Sequence, residues 1–336
     1  MLKKILVIRF SSIGDIVLTT PVLRILHEQA DAEIHYLTKP AFASIVLSNP
    51  YVKKVITLGD ELDRLILLLK EEQYDHIIDL HHNLRSTRIK LALRRPSASF
   101  DKRNFQKWLM VRLKKDTPPV KHIVDRYIET INFLGVSDDE KGLDFFIPTD
   151  KKIDVKAVFE FDAYAAIVIG AAHETKCMTV AQLAKLCELL DMPVILLGGK
   201  QEEEKANAII ATSKSKFVKS ACGPFDIFQS ASILEQASTI ITHDTGLMHI
   251  AAALKKPQIV VWGNTIPEFG MQPHYGAQNV KWDSFEILGL PCRPCSKLGF
   301  PKCPRGHFRC MLDHDLNSIA VAALKISENH NLNFGL

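Results

Sequence analysis

Long apolar runs are missing from this chain of 336 residues. The first apolar stretch, Ile5 to Ile8, ends at the charged Arg9, and it is shorter than the roughly 7–15 residues of a signal-peptide core. No other stretch approaches the ~20 apolar residues of a membrane-spanning helix. These absences predict a cytoplasmic protein whose contact with a membrane is at most peripheral.

The first strand-to-helix loop lacks the Gly-x-Gly-x-x-Gly pattern of dinucleotide sites. Its only glycine is Gly14, which argues against a nicotinamide or flavin site. Acidic residues are also scarce from Arg85 to Lys115, where Asp101 alone opposes eleven basic residues. A charge run is usually a solvated helical face, but this imbalance favours a polyanionic partner. Aromatic residues are sparse there, which argues against nucleic acid.

Strand-like and helix-like segments alternate along both halves of the chain, which predicts βαβ units and parallel sheets. The first half has predicted strands at 4–9, 33–37, 52–58 and 76–80, and helices at 16–28, 61–72, 83–95, 103–115 and 121–134. The second half has predicted strands at 165–169, 193–197, 239–242 and 258–262, and helices at 180–190, 202–212, 227–236, 246–254 and 317–328.

The polar stretch 135–157 predicts a domain boundary, with one domain at 1–155 and the other at 156–336. The expected fold is α/β, with two Rossmann-like doubly wound domains facing across a cleft. Ligands of such sheets bind beyond the carboxyl ends of the strands. Functional residues are therefore expected directly after predicted strands.

The loop after the first strand contains Ser11, Ser12, Gly14 and Asp15. It places a carboxylate at a helix start beside two hydroxyls. Such a carboxylate can accept a proton from a substrate, or it can simply cap the helix, because Asp is a favoured capping residue.

A second loop joins an apolar strand to a helix at His243, Asp244, Thr245 and Gly246. A glycine there keeps the helix N-terminus open, and free backbone N–H groups with the positive end of the helix dipole suit a phosphate. The alternative is a capped helix with a tight turn. His249, one turn into the helix, fits either a core position or a phosphate contact.

Two further strand ends carry charged residues. Lys176 follows the strand at 165–169, and its flexible ammonium can reach a diphosphate. Glu202 follows the strand at 193–197, where a carboxylate can bind ribose hydroxyls or favour the helix N-terminus. A solvated surface side chain is the alternative for the lysine.

Four of the seven cysteines are crowded near the C-terminus, at Cys292, Cys295, Cys303 and Cys310. One Cys-x-x-Cys pair with two more cysteines can supply a tetrahedral zinc site. Reduced thiols packing a loop, or a disulfide pair, are the alternatives. An odd number of cysteines argues against a secreted disulfide framework.

Taken in this order, the motifs resemble the heptosyltransferase family of bacterial lipopolysaccharide synthesis, glycosyltransferase family 9. The resemblance lies in segments 5–21, 78–86 and 242–253, and it extends to the cysteine-rich end. It implies a GT-B fold and an inverting transferase that needs no catalytic metal or other cofactor and that contacts the cytoplasmic face of the inner membrane peripherally. The implied partners are a nucleotide-sugar donor such as ADP-heptose and an anionic glycolipid acceptor, the lipid A precursor.

The resemblance also implies roles for individual residues. Asp15 matches the general base, and Lys176 matches the lysine that contacts phosphate. The acceptor side corresponds to Ser11, Ser12, Gly14 and Arg85, and the nucleotide-sugar side to Glu202, Asp244, Thr245, Gly246, Leu247 and His249. The family lysine is usually followed by an aromatic residue and a proline, whereas here Cys177 and Met178 follow it.

Three other functions remain open from the residues. The chain could transfer a different sugar, or it could be a sugar-nucleotide epimerase or hydrolase on the same frame, acting without an acceptor. Outside enzymes, it could be a zinc-stabilised module that binds anionic glycans through the basic stretch.

Overall fold

The computed structural model describes residues 3–114 and 121–334. Within them, eleven strands form two sheets in which every pairing is parallel. The strands are β1 (Lys3–Ile8), β2 (Ala32–Thr38), β3 (Lys54–Thr57), β4 (His76–Asp79), β5 (Ser97–Ser99), β6 (Ala165–Val168), β7 (Val194–Leu197), β8 (Val218–Ser220), β9 (Thr239–His243), β10 (Gln258–Trp262) and β11 (Trp282–Glu286).

Helices alternate with these strands, as the sequence predicted. They are α1 (Ile13–Val17), α2 (Thr20–Ala30), α3 (Ala43–Leu47), α4 (Leu62–Glu71), α5 (Leu84–Leu93), α6 (Asn104–Arg112), α7 (Ile123–Ile128), α8 (Val155–Phe159), α9 (Val180–Leu190), α10 (Glu203–Thr212), α11 (Ile227–Gln236), α12 (Gly246–Ala253), α13 (Arg309–Leu312) and α14 (Leu316–Phe334). No helix within 3–114 and 121–334 is long and apolar enough to cross a membrane.

The described residues divide into two compact units. The N-terminal unit comprises 3–103, 121–146 and 274–278, and the C-terminal unit comprises 104–114, 147–273 and 279–334. This division differs from the boundary expected near residue 155 in two respects. Helix α6 packs in the C-terminal unit, where Met110 is buried with Ile266 and Phe269. The segment 274–278 joins the N-terminal unit, where the N–H of Ala277 donates to the carbonyl of Glu140 at 2.8 Å.

The N-terminal sheet has the strand order β3-β2-β1-β4-β5. Its central strand β1 is fully buried from Ile5 to Ile8, because a parallel sheet is covered by helices on both faces and its inner strands are apolar on both sides. Because β1 and β4 are parallel neighbours, the loops that follow them lie at the same edge of the sheet.

The C-terminal sheet has the order β8-β7-β6-β9-β10-β11. In chain order this is 3-2-1-4-5-6, the arrangement of the Rossmann fold. The loops after β6, β7, β9 and β10 lie at one edge, which is where ligands of this fold bind. The expected α/β class with two Rossmann-like domains is confirmed.

Some predicted elements differ in the structure. The helix expected at 16–28 is two helices, α1 and α2, because the chain turns at Leu18 and Thr19 and Pro21 stands in the first turn of α2, where the missing N–H is tolerated. The helix expected at 121–134 is α-helical only to Ile128 and continues as a 3₁₀ turn. The helix expected at 103–115 ends at Arg112, and Lys115 lies outside the described residues.

Candidate active site

The carboxylate of Asp15 is held at the start of α1. Ser12 is the N-cap residue of this helix, and Asp15 is its third residue. Oδ2 of Asp15 accepts hydrogen bonds from the backbone N–H of Ser12 at 3.1 Å and from its hydroxyl at 2.8 Å. The Asp15 side chain keeps 23% of its surface exposed, so the carboxylate braces the helix and can still meet a ligand.

Arg9, the residue after β1, binds the other oxygen of this carboxylate. Its Nη2 lies 2.7 Å from Oδ1 of Asp15. The guanidinium also donates to the carbonyls of Ser11 at 2.7 Å and Leu80 at 2.6 Å, and to the Tyr127 hydroxyl at 2.8 Å. Burial opposes the charge of Arg9, but Tyr127 and Asp15 raise the pKa of the guanidinium above its ordinary value. Sequence reasoning treated Arg9 only as the end of an apolar run.

The loop after β4 lies beside the Asp15 loop, because β4 pairs with β1. Asp79 is fully buried, and its Oδ1 accepts from the backbone N–H groups of His81 and His82 at 3.1 and 2.7 Å. The His81 ring packs on Phe10 with 4.7 Å between ring centroids. Burial and the charge of Arg9 lower the pKa of His81 to about 4, so the imidazole is neutral at pH 7 and can donate or accept a hydrogen bond.

The predicted acceptor residues lie on these two loops. Ser11 and Ser12 directly precede α1, and Gly14 lies in its first turn beside Asp15. Arg85 is exposed in the first turn of α5, after β4. Sequence reasoning missed His81 as a site residue, although it belongs to the motif at 78–86.

In the C-terminal unit, Lys176 and Asp244 form an ion pair. Nζ of Lys176 lies 2.7 Å from Oδ2 of Asp244, and the two side chains are only 13% and 14% exposed. The hydroxyl of Thr265, in the loop after β10, donates to the same oxygen at 2.9 Å. Burial alone would raise the pKa of Asp244, but the Lys176 ammonium outweighs burial and the pKa lies below its ordinary value. The ends of β6, β9 and β10 are thereby joined.

Helix α12 begins immediately beside this ion pair. Thr245 is its N-cap residue and makes no side-chain capping hydrogen bond. Gly246 opens the helix, and Leu247 and His249 are buried behind it. The first N–H groups of a helix have no partner within it, and they carry the positive end of the dipole. This end therefore offers donors to an anion, with the Lys176 ammonium close to it.

The Lys176 turn is fixed from two sides, by His243 of the predicted loop and by Thr175 and Asn264, which sequence reasoning missed. Nε2 of the buried His243 accepts from the N–H of Met178 at 3.0 Å. Burial lowers the pKa of His243 to about 3, so this nitrogen stays an acceptor at neutral pH. On the other side, the Thr175 hydroxyl donates to Oδ1 of Asn264 at 3.0 Å.

Glu202 lies across the ends of two neighbouring strands. Its Oε2 accepts from the N–H of Gly199 at 2.7 Å. A Cβ atom at Gly170 would lie 2.6 Å from Cδ of Glu202, and one at Gly198 would lie 2.8 Å from its Cβ. The absence of side chains at both glycines therefore makes room for this carboxylate after the second strand of the Rossmann order, where an acidic residue binds ribose in nucleotide-binding relatives of the fold.

The cysteine-rich segment follows β11. All seven cysteines are free thiols; Cys310 is buried, and Cys292, Cys295 and Cys303 are partly buried. Sγ of Cys292 lies 3.6 Å from Nε2 of His307. In the described part of the chain, no group of three or more His, Cys, Asp or Glu side chains could hold a metal ion. The thiols thus form no ready-made zinc site, and a structural zinc ion stays a prediction from the sequence.

Arg293, which lies in this segment, binds the loop after β10. Its guanidinium donates to the carbonyls of Gly263 and Thr265, both at 2.8 Å, and it forms an ion pair of 2.5 Å with Glu286. The segment thereby holds the loop that carries the Thr265 hydroxyl against Asp244.

Comparisons with known proteins agree on one family. The sequence model of glycosyltransferase family 9 (heptosyltransferase) matches residues 63–295. Lipopolysaccharide heptosyltransferase 1 of Campylobacter coli is 25% identical over 288 residues, which cover 78% of this chain and 84% of that protein. Lipopolysaccharide heptosyltransferase 1 of Pseudomonas aeruginosa is 26% identical over 323 residues, with coverage of 88% and 86%.

Among solved structures, the E. coli ADP-heptose lps heptosyltransferase II matches with a TM-score of 0.74 and 18% sequence identity. The match covers 98% of this chain and 99% of that chain. At this level of identity the structural match establishes the fold.

Proposed function

Because the chain belongs to glycosyltransferase family 9 (heptosyltransferase), we propose that it moves a heptose from ADP-heptose to an anionic glycolipid of the lipopolysaccharide inner core, with inversion at the anomeric carbon. The family confirms the predicted glycosyltransferase. The observation that carries the donor assignment is the Lys176–Asp244 pair beside the open N-terminus of α12.

The C-terminal unit binds the donor in this proposal. The diphosphate meets the first N–H groups of α12 and the Thr245 hydroxyl, with Lys176 beside it. Glu202 accepts hydrogen bonds from the ribose hydroxyls. The positive charge matters most when the glycosidic bond breaks, because the departing ADP gains negative charge and fixed donors stabilise it without reorganisation.

The N-terminal unit supplies the base. As the acceptor hydroxyl attacks the anomeric carbon, its proton passes to the Asp15 carboxylate, and the bond from that carbon to the diphosphate oxygen breaks. Attack from the face opposite ADP inverts the centre. Positioned general-base catalysis of this kind is worth typically about 10²–10⁴-fold in rate. Ser11, Ser12 and Arg85 are exposed or half-exposed near this carboxylate's sheet edge, and they bind the acceptor's polar and anionic groups.

We assign no step to a metal ion, since Lys176 and the α12 N-terminus already supply positive charge to the leaving group. Sugar transfer should therefore persist when the chelator EDTA removes free metal ions. Because the acceptor is a lipid, the enzyme also has to reach a membrane surface, and we propose peripheral contact with the cytoplasmic face of the inner membrane.

The donor is tested by calorimetry with ADP-, UDP-, GDP- and CMP-sugars. We expect binding of ADP-heptose, whereas binding of UDP-sugars alone would overturn the proposed donor. Incubation with donor but no acceptor tests the alternatives, because an epimerase or hydrolase would consume it. The configuration of the product, read by NMR, tests inversion.

The base is tested with Asp15→Asn, which keeps the shape of the side chain and removes its proton-accepting charge. Transfer should fall by about 10²–10⁴-fold, and calorimetric donor affinity should stay near that of the wild type. Turnover at the wild-type rate would remove Asp15 from the role.

A further inference from the structure

Helix α6 is fixed to the C-terminal unit by one of its faces. Met110 is buried against Ile266 and Phe269. The Lys107 ammonium lies 5.9 Å from the centroid of the Phe269 ring, within the range of a cation–π contact. In the first turn, Oδ1 of Asn104 accepts from Nζ of Lys297 at 3.1 Å. The orientation of the helix is therefore set, and so is the face that it leaves outside.

The outward face carries two aromatic rings. Phe105 is 73% exposed and Trp108 is 50% exposed. The rings stack on each other, with 6.1 Å between centroids and 15° between planes. Leu113, just past the helix, is 51% exposed. Single exposed apolar side chains are ordinary on protein surfaces, but two stacked rings on one helix face form a contiguous apolar patch, which marks an interaction site more often.

The charged residues of α6 and of its flanking residues 102–114 have one sign. From Lys102 to Lys114 there is no acidic residue. Arg112 is exposed and stands four residues after Trp108 and seven after Phe105, so all three share one stripe of the helix. Tryptophan and phenylalanine beside cationic residues are typical of helices that lie in the headgroup region of a membrane.

We propose that the outward face of α6 is a membrane-docking surface, with the Phe105 and Trp108 rings inserted among the lipids of an anionic bilayer and Arg112 on their phosphates. We call this the α6 surface. It rests on the proposed function, because a lipid-borne acceptor explains why the enzyme should dock there. A second copy of the chain fits the surface less well, since a two-fold symmetric dimer would bring the two cationic faces together.

Docking is measured by co-sedimentation of the full chain with vesicles, in the absence of donor and acceptor. The wild type should bind vesicles of phosphatidylethanolamine with phosphatidylglycerol, and it should bind less at high salt, because salt screens attraction to an anionic surface. Vesicles of phosphatidylcholine should bind it weakly. Equal binding to anionic vesicles and to phosphatidylcholine vesicles would overturn the proposal that the partner is an anionic membrane.

The double variant Phe105→Ser/Trp108→Ser should lower the partition coefficient by about ten-fold or more, since the inserted apolar area supplies much of the binding. Phe217→Ser is the matched control, because Phe217 is a 59% exposed phenylalanine elsewhere on the same unit. It should bind like the wild type. Undiminished vesicle binding by the double variant, or an equal loss of vesicle binding in the control, would overturn the proposal that the α6 surface docks on membranes.

Two further readouts distinguish insertion into lipid from damage to the active site and from self-association. Fluorescence of the wild type should shift to shorter wavelength on anionic vesicles, and Trp108→Phe should lose this shift. Transfer to a deacylated, water-soluble acceptor should be the same in the wild type and the double variant. If the wild type fails to transfer but still docks, the proposed function fails and the surface stands. If the wild type ignores vesicles and self-associates through these rings, the docking proposal is wrong.

Discussion

Nη2 of Arg9 lies 2.7 Å from Oδ1 of Asp15, and the same guanidinium is held by two carbonyls and a tyrosine hydroxyl. Ser12 binds the other oxygen of the carboxylate. A carboxylate restrained at both oxygens presents its remaining lone pairs in fixed directions. Arg9 therefore positions the proposed base and favours its charged form through a nearby opposite charge.

Replacing Arg9 by methionine should lower kcat by about ten-fold or more, within the range that general-base catalysis contributes. KM for the donor should change little, because the donor residues lie in the C-terminal unit. The acid limb of the pH–rate profile should move to higher pH, since a carboxylate that loses a neighbouring cation is protonated more easily. The measurement is kcat across pH.

Arg9→Lys is the control for this prediction, because it retains the charge. Its acid limb should stay near that of the wild type even if the hydrogen bonds to Ser11 and Leu80 are lost. A methionine variant with a lower kcat and an unshifted pH profile would mean that Arg9 acts only through the fold.

The candidate-site residues that the sequence predicted lie in the loops and first helical turns that follow buried strands. Asp15, Lys176, Glu202 and Asp244 could be predicted because the carboxyl ends of parallel strands form the ligand edge, and their roles stay predictions. Their partners could not be found in this way. Thr265 reaches Asp244 from another loop, and such long-range pairings leave no local pattern in the sequence.

The ion pair between Lys176 and Asp244 makes stability depend on pH. The pKa of Asp244 is depressed, because Lys176 outweighs the burial that would raise it. A depressed Asp pKa contributes stability that is present above the ordinary value of about 3.9 and is lost as pH falls through the folded-state value. Lys176→Met removes the charge that offsets the burial of the Asp244 carboxylate. The variant's melting temperature should therefore be lower than that of the wild type at neutral pH, and the difference should be smaller in acid.

Loss of one partner of a largely buried pair should cost about 2 kcal/mol or more at neutral pH. The double variant Lys176→Met/Asp244→Asn should recover part of that loss, since no unpaired charge stays buried. Melting temperatures of both variants and the wild type between acid and neutral pH provide the measurement. A loss of melting temperature in Lys176→Met that is independent of pH would contradict the proposed charge coupling between Lys176 and Asp244.

The cysteines should differ in their rates of alkylation. Burial raises the pKa of Cys187 and of Cys222 to about 12, so both stay protonated thiols near pH 8. Cys292 and Cys303 are partly exposed and should react with iodoacetamide at least about ten-fold faster, because the thiolate at an accessible position is the nucleophile. Peptide mass spectrometry over time gives the rates. Faster labelling of the two buried thiols would contradict this order.

The parts of the fold that the sequence did not predict depend on long-range contacts. Strands β5 and β8 are three residues long, and β5 contains only serine and alanine. Each exists because it pairs with an inner strand, β4 or β7. Helix α6 likewise joins the C-terminal unit because Met110 meets Phe269, a contact that no local hydrophobic pattern reveals.

Gly170→Ala tests whether Glu202 serves the nucleotide. A methyl group there would lie 2.6 Å from Cδ of Glu202, and the end of that flexible side chain would move aside rather than the backbone. ADP affinity, measured by calorimetry, should therefore fall by about ten-fold, as expected for a lost hydrogen bond to a charged group, with little change in melting temperature. Gly59→Ala is the control, because a Cβ at Gly59 meets nothing within 4 Å. Unchanged ADP affinity in Gly170→Ala would remove Glu202 from the donor site.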